Sequence, residues 1–276
     1  DYLNLDFQVY ADGKEEVRFY YSDENPKGLQ CDKIIVGEWS KGKCYFYLFA
    51  GSGFCIWYSE YHPTEDTYLG ATGNVPSLEL QIAFKNKIRG LWKGIDNPEL
   101  NSYQFNFRYS YDVETKAYFE GGKEYITCDI QFEKWFLEEH VNDFPSLSVL
   151  LDKVTNRISG SLAETDAFCS PDMVHIMRTI LFNKYNERRR LSTWEHKVKI
   201  ILLDALDIIS PINTTVQKLK LSEYDIDCLY RAKEIIDSNP VDKPVILDEL
   251  RQKVALNEFK LKNGFKQLFG YSPYDY

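Results

Sequence analysis

PVILDELRQKVALNEFKLKNGFKQLFGYSPYDY, from Pro244 to Tyr276, is more specific than anything upstream of it. Leu247, Leu250 and Val254 recur on one helical face. Ala255, Leu256 and Asn257 then break the pattern, and Leu261, Phe265 and Leu268 resume it. The spacing predicts two short helices joined by a tight turn. Asn257 is placed to cap the second helix, because its side-chain oxygen can accept from an amide that has no intrahelical partner. Gly270 is placed to end that helix, since glycine takes left-handed dihedrals without a Cβ clash.

The second helix is where chemistry would sit. At about 100° per residue, with Leu261 at the centre of the buried face, Phe265 and Leu268 fall beside it. Phe259, Asn263 and Lys266 then point the opposite way, and Lys262 flanks them. An amide can bond base edges, a ring can meet a thymine methyl and lysines neutralise phosphate, so this is a base-reading set. The same face also fits a solvated helix, because two helices at this spacing occur as plain αα packing.

Leu247, Leu250, Leu256, Asn257, Leu261, Phe265, Lys266, Phe269, Gly270, Pro273 and Tyr276 match the pattern L-x-x-L-A-x-x-x-G-L-S-x-x-x-L-x-R-x-F-K-x-x-F-G-x-x-P-x-x-Y, with Asn257 at the serine position. The segment thereby resembles the first of the two helix-turn-helix units of AraC-type transcriptional regulators. KLKNGFKQLFG, with Gly264 before Phe265, is similar to the branch that includes regulators of siderophore uptake. IDCLYRAKEIIDSNPVDKP resembles the helix and linker that precede the unit.

The resemblance implies double-stranded operator DNA as partner, a small-molecule effector held by a cupin-like β domain, and a homodimer whose two DNA heads are rearranged by the effector. It implies that Phe259, Lys262 and Asn263 approach base edges. Lys266, and more weakly Lys260 and Arg251, would meet phosphates. The chain departs from the family in two respects. The usual turn glycine is Ala255, where a left-handed conformation costs about 1 kcal/mol. The sequence ends at Tyr276, where a connecting helix to a second helix-turn-helix would begin, so a piece of a longer protein is expected.

The 276 residues have room for two domains. With 44% hydrophobic and 15% aromatic residues, they can fill sizeable cores. No stretch approaches the roughly 18 apolar residues of a membrane helix, and residues 1–12 do not read as a signal peptide, so a cytoplasmic protein with no membrane partner is expected. A net charge of −9 argues against coating nucleic acid with the whole surface. That charge lies upstream of residue 211, because residues 211–276 hold ten basic and ten acidic side chains. An acidic sensor joined to a locally basic reader fits this asymmetry. Cys31, Cys44, Cys55, Cys128, Cys169 and Cys228 show no metal-ligand spacing, and reduced thiols are expected.

Residues 1–132 read as strands, and the expected fold class is α+β: an N-terminal β-barrel or sandwich, then helices, then the helix-turn-helix. QVYADGKEEVRFYY carries an Asp12-Gly13 turn between alternating runs, a hairpin signal. KIIVGEW, KCYFYLFA, GFCIWYSEY, SLELQIAF, YQFNFRY and EYITCDIQF follow. Cys44 to Ala50, apolar on both faces, predicts a central strand. In YQFNFRY, Tyr103, Phe105, Phe107 and Tyr109 alternate with Gln104, Asn106 and Arg108, which predicts a sheet with one wet side.

From Glu133 the period becomes helical, with Pro171 and Ser192 marked as helix starts. Residues 133–209 are assigned to a helical dimerisation or connector region, because TWEHKVKIILLDALDII has more apolar positions than one face needs. Residues 210–276 are assigned to a linker and the DNA-binding unit. GSGF at Gly51 to Phe54 reads as a hairpin turn rather than a phosphate loop.

His62 stands alone in the strand region, which argues against a cupin metal centre, and no metal or cofactor is expected. The run Arg188-Arg189-Arg190 reads as the basic end of a helix, favoured by the macrodipole. Tyr45, Phe46, Tyr47, Phe49, Phe54, Trp57 and Tyr58 could line a ligand pocket or simply pack a core. No nucleophile–base arrangement is legible, so an enzyme is not expected. The competing reading is a small-molecule-binding β protein whose terminal helix pair is only structural.

Overall fold

The computed structural model describes residues 7–95, 99–209, 221–238, 246–269 and 272–273. The fold is α+β, and the chain divides into two compact units. One comprises Asp1–Phe168 with Asp172–Ser210; the other comprises Cys169–Pro171 with Pro211–Tyr276. No described helix is long and apolar enough to cross a membrane.

Two antiparallel sheets build the first unit. The six-stranded sheet runs, in spatial order, Glu99–Leu100, Ile88–Trp92, Val113–Phe119, Thr67–Gly73, Phe7–Ala11 and Glu15–Glu16. The nine-stranded sheet runs Gly160–Ser161, Gln104–Ser110, Ser77–Lys85, Tyr125–Phe132, Phe54–Pro63, Gly42–Ala50, Lys33–Trp39 and Arg18–Tyr21, with Ala167–Phe168 also pairing on Gln104–Ser110. Asp12 and Gly13 take φ of 51° and 70° in the first hairpin, the two positive dihedrals such a turn needs. Gly51 to Phe54 is a hairpin turn, and Gly42–Ala50 is a central strand between two neighbours.

Strand alternation splits the larger sheet's side chains between two environments. Cys44, Phe46, Trp57 and Tyr61 turn towards the smaller sheet and meet Val9, Leu69 and Phe119. The alternate residues face helices α1 (Lys134–Glu138), α2 (Leu147–Asn156), α3 (Pro171–Phe182) and α4 (Glu187–Ile209). Phe49 meets Trp194 at 5.2 Å, Phe54 meets Phe136 at 5.9 Å and Tyr58 meets Phe182 at 6.0 Å. Trp194, Val198, Ile201, Leu202, Ala205 and Leu206 form the buried face of α4, so much of its apolar excess is used within the unit.

Three expectations are corrected. Asn106 and Arg108 do not line a wet side: each is 1% exposed. Asn106 donates to Asp166 Oδ1 at 2.9 Å and Arg108 pairs with the same carboxylate at 3.1 Å. Ser192 does not start a helix; α4 begins at Glu187 and Ser192 lies inside it. Arg188 to Arg190 therefore occupy the first turn of α4, where the macrodipole opposes them. Arg190 is held instead by Asp32 at 2.8 Å and by the Trp194 ring at 4.9 Å. None of the six cysteines forms a disulfide.

Candidate functional site

The second unit contains helices α5 (Glu223–Asp237), α6 (Leu247–Val254) and α7 (Glu258–Phe269). Leu250, Val254, Leu261, Phe265 and Phe269 are buried, and the Phe269 ring lies 4.4 Å from Phe265 and 5.1 Å from Tyr230. Ala255 ends α6 in the left-handed conformation, φ 57° and ψ 38°. Asn257 Oδ1 accepts from the Lys260 amide at 2.8 Å, the cap that its side chain suggests. A Cβ on Gly264 would sit 2.7 Å from Leu229 Cδ1, so the missing side chain lets α7 approach α5 closely. Gly270, the expected stop of α7, lies outside the described residues, as do residues 210–220 of the expected linker.

The outward face of α7 carries Phe259, 62% exposed, together with exposed Asn263 and Lys266. The Asn263 amide donates to the Phe259 carbonyl at 3.0 Å, and its oxygen can still accept. Lys262 reaches Glu258 at 2.5 Å, and Arg251 reaches Asp248 at 3.4 Å. Exposed pairs such as these are weak and exchange readily for another anion.

Lys260 is held differently. Its ammonium contacts both oxygens of Asp225, at 2.7 and 2.9 Å, and that carboxylate's side chain is only 4% exposed. Asp225 also closes a capping box with Ser222 at the start of α5. Burial pushes the Asp225 carboxyl up, but bonds from Lys260 and Ser222 outweigh it and hold the group below the usual carboxylate range. Of the six residues singled out in the sequence, Lys260 is the one committed inside the fold.

The first unit holds a cavity of about 220 Å³ between its two sheets. Phe46 and Trp57 line it, whereas Phe49 and Phe54 are fully buried on the helix side of the same sheet. The aromatic run is thus divided between a cavity wall and the packed helix side of the sheet. Polar groups on the larger sheet also reach the cavity. Glu79 accepts from Ser77 at 2.7 Å and from Gln81 at 3.2 Å, and Trp57 donates to Gln131 at 2.9 Å. Thr127 donates to Asp129 Oδ2 at 3.2 Å, while Asp129 Oδ1 is buried with no hydrogen-bond partner. Burial pushes the Glu79 and Asp129 carboxyls up, Asp129 well above its ordinary value because the Glu79 charge adds to the effect. Periodicity did not single out these two acids, since an acidic residue on an alternating strand reads as solvent-facing.

His62 lies beside Glu60 and Glu124, with one ligand atom from each within 4.8 Å of the others. Lys27 pairs with Glu60 at 3.0 Å and Lys85 with Glu124 at 2.5 Å, so both carboxylates already have counter-charges. Tyr58 also donates to Glu60, at 3.0 Å. The arrangement is an ion-pair cluster around a half-exposed imidazole.

No family model matches the sequence, and no curated protein matches it. Among solved structures, the chain is similar to an HTH_3 family transcriptional regulator from Vibrio cholerae, at 9% identity and a TM-score of 0.25, over 33% of this chain and 51% of that one. The chain thus spans about half the length of that regulator. It is also similar to ToxT from Vibrio cholerae, at 8% identity and a TM-score of 0.31, over 82% of this chain and 98% of that one. An 11S allergen from Cocos nucifera L. is similar at 6% identity and a TM-score of 0.24, over 42% of this chain and 34% of that one. Likenesses this loose carry no inference about activity.

Proposed function

We propose that the protein is a ligand-responsive transcriptional regulator of the AraC type, a cytoplasmic protein that contacts operator DNA through α6 and α7. The observation that carries this reading is the outward face of α7. An exposed phenyl ring, an exposed amide and a lysine stand on one side of a helix whose opposite side is buried. In the proposed docking, Phe259, Lys262 and Asn263 approach base edges, and Lys266 and Arg251 meet phosphates. Lys260 contributes through the helix positions that its pair with Asp225 maintains. The β unit senses a small-molecule effector in its cavity, and two protomers place their DNA heads on paired half-sites.

Titration of a fluorescent duplex by the protein at several salt concentrations tests the reading. Binding should weaken linearly in log–log form as salt rises, because each phosphate contact releases a counterion. Absence of any salt-dependent association would leave the competing reading: a small-molecule-binding β protein with a structural helix pair. The cavity favours that second reading as much as the first.

A further inference from the structure

We propose that the cavity between the two sheets binds a small organic cation, an ammonium group carried on one aromatic ring or a short apolar chain. The inference rests on the effector-responsive reading above and names the chemistry of the effector. Its starting point is charge. The described residues that line the cavity include no lysine, arginine or histidine. Cys44 and Tyr61 also line it, and burial pushes the Cys44 thiol up to about 12 and the Tyr61 hydroxyl up as well, so both are neutral. Arg108, the nearest guanidinium of the same polar array, is already paired with Asp166 and Gln81 and stacked over Trp92 at 5.4 Å. Among the described lining residues, Glu79 and Asp129 are therefore the groups able to carry charge, and the cation that acts on both, Arg108, stands outside the lining and is already engaged.

Two half-buried carboxyls whose nearest counter-charge is already shared with Asp166 make the interior hostile to an anion and receptive to a cation. Asp129 is the more deficient of the two: Thr127 and the Ile82 backbone amide support it but its Oδ1 has no hydrogen-bond partner, whereas Glu79 accepts from Ser77 and Gln81. The rings of Phe46, Trp57, Tyr61 and Phe119 complete the receptor, with Phe46 and Trp57 6.1 Å apart and Tyr61 stacked on Phe119 at 4.8 Å. Aromatic faces attract a cation and shelter the apolar body attached to it. The opposite wall is mainly apolar, with Val9, Leu69 and Ala71 beside the single hydroxyl of Thr115, and offers little to a polyhydroxylated ligand. At about 220 Å³ the space is smaller than the roughly 300–1,000 Å³ of drug-sized sites, which limits the ligand to one ring or a short chain.

Isothermal titration of the intact protein with 2-phenylethylammonium chloride, 2-phenylethanol and sodium phenylacetate tests this. The three probes share a shape and differ in charge. The ammonium should bind, the alcohol should bind at least tenfold more weakly and the phenylacetate should not bind. Asp129→Asn should weaken the ammonium at least tenfold, as removal of one member of a desolvated charge pair does, and Glu79→Gln provides an independent second variant. Equal binding of alcohol and ammonium, preferred binding of phenylacetate, or no binding of the ammonium overturns the proposal. Duplex-DNA binding on the same preparation is a separate readout. If DNA binds and the ammonium does not, this inference alone fails; if the ammonium binds and DNA does not, the regulator reading fails.

Discussion

Replacing Lys260 by methionine keeps the apolar stem of the side chain and removes its ammonium from Asp225. The carboxylate loses contacts at 2.7 and 2.9 Å and keeps the two bonds donated by Ser222. A hydrogen bond to a charged group contributes about 1.5–3 kcal/mol. Lys260 is 37% exposed, so water and salt already screen part of that interaction and can re-solvate the vacated side. The expected cost is about 1–2 kcal/mol at pH 7, below the roughly 3–5 kcal/mol of a fully buried pair. The pH dependence distinguishes this from a packing defect. Asp225 is held below its unfolded value of 3.8, so the pair stabilises the fold above that pH, and this contribution is lost as pH falls through the folded value. The deficit of Lys260→Met should therefore shrink in acid. Hydrogen exchange of peptides from α5 and α7, measured at pH 7 and well below 3.8, at about pH 2, reads it locally. Unchanged protection at pH 7, or a deficit of the same size at both pH values, would refute the reasoning.

Ala255→Gly should raise the stability of the second unit by about 1 kcal/mol, since it relieves a Cβ in the left-handed conformation; a lower urea midpoint would argue against that backbone. Asp129→Asn should stabilise the ligand-free protein at pH 7 by about 1–3 kcal/mol. Because burial holds the Asp129 carboxyl above 3.8, the wild type is relatively most stable below that pH and loses ground as pH rises, so the advantage of the variant should grow with pH; a melting-temperature difference that is flat across pH would sink the argument. Trp194→Ala should cost about 3–5 kcal/mol, because the ring is fully buried against Phe49, and a melting temperature within error of the parent would contradict that packing.

How legible the molecule was in its sequence depended on how far each signal was local. Asp12-Gly13, Asn257 and Ala255 act through their own dihedrals and the nearest amides, and the structure places them as their chemistry suggests. Strands with bulky alternating residues, such as Phe54–Pro63, announced themselves. Thr67–Gly73, Ile88–Trp92 and Val113–Phe119 did not: they are rich in small and charged residues because one side of the smaller sheet faces solvent. Asn106 and Arg108 looked wet for the opposite reason, since the segment carrying Asp166, about sixty residues later, covers them. The Arg188–Arg190 run hid the true start of α4, because its partners, Asp32 and Trp194, lie outside any local window. The outward face of α7 could be read from helical phase. The commitment of Lys260 to Asp225, and the two acids inside the cavity, required the tertiary arrangement.

The central claim is that α7 reads DNA, and two variants on one selected site test it most directly. Duplexes bound by the protein would be recovered from a randomised pool, and Asn263→Ala and Lys266→Ala compared on the selected sequence and on random DNA across a salt series. Asn263→Ala should lose about 1–3 kcal/mol on the selected site and little on random DNA, because a lost base contact removes discrimination. Lys266→Ala should weaken both and lower the salt slope by about one, because a lost phosphate contact releases one counterion fewer. Equal binding by the parent and both variants at moderate salt would mean that this helix faces something other than DNA.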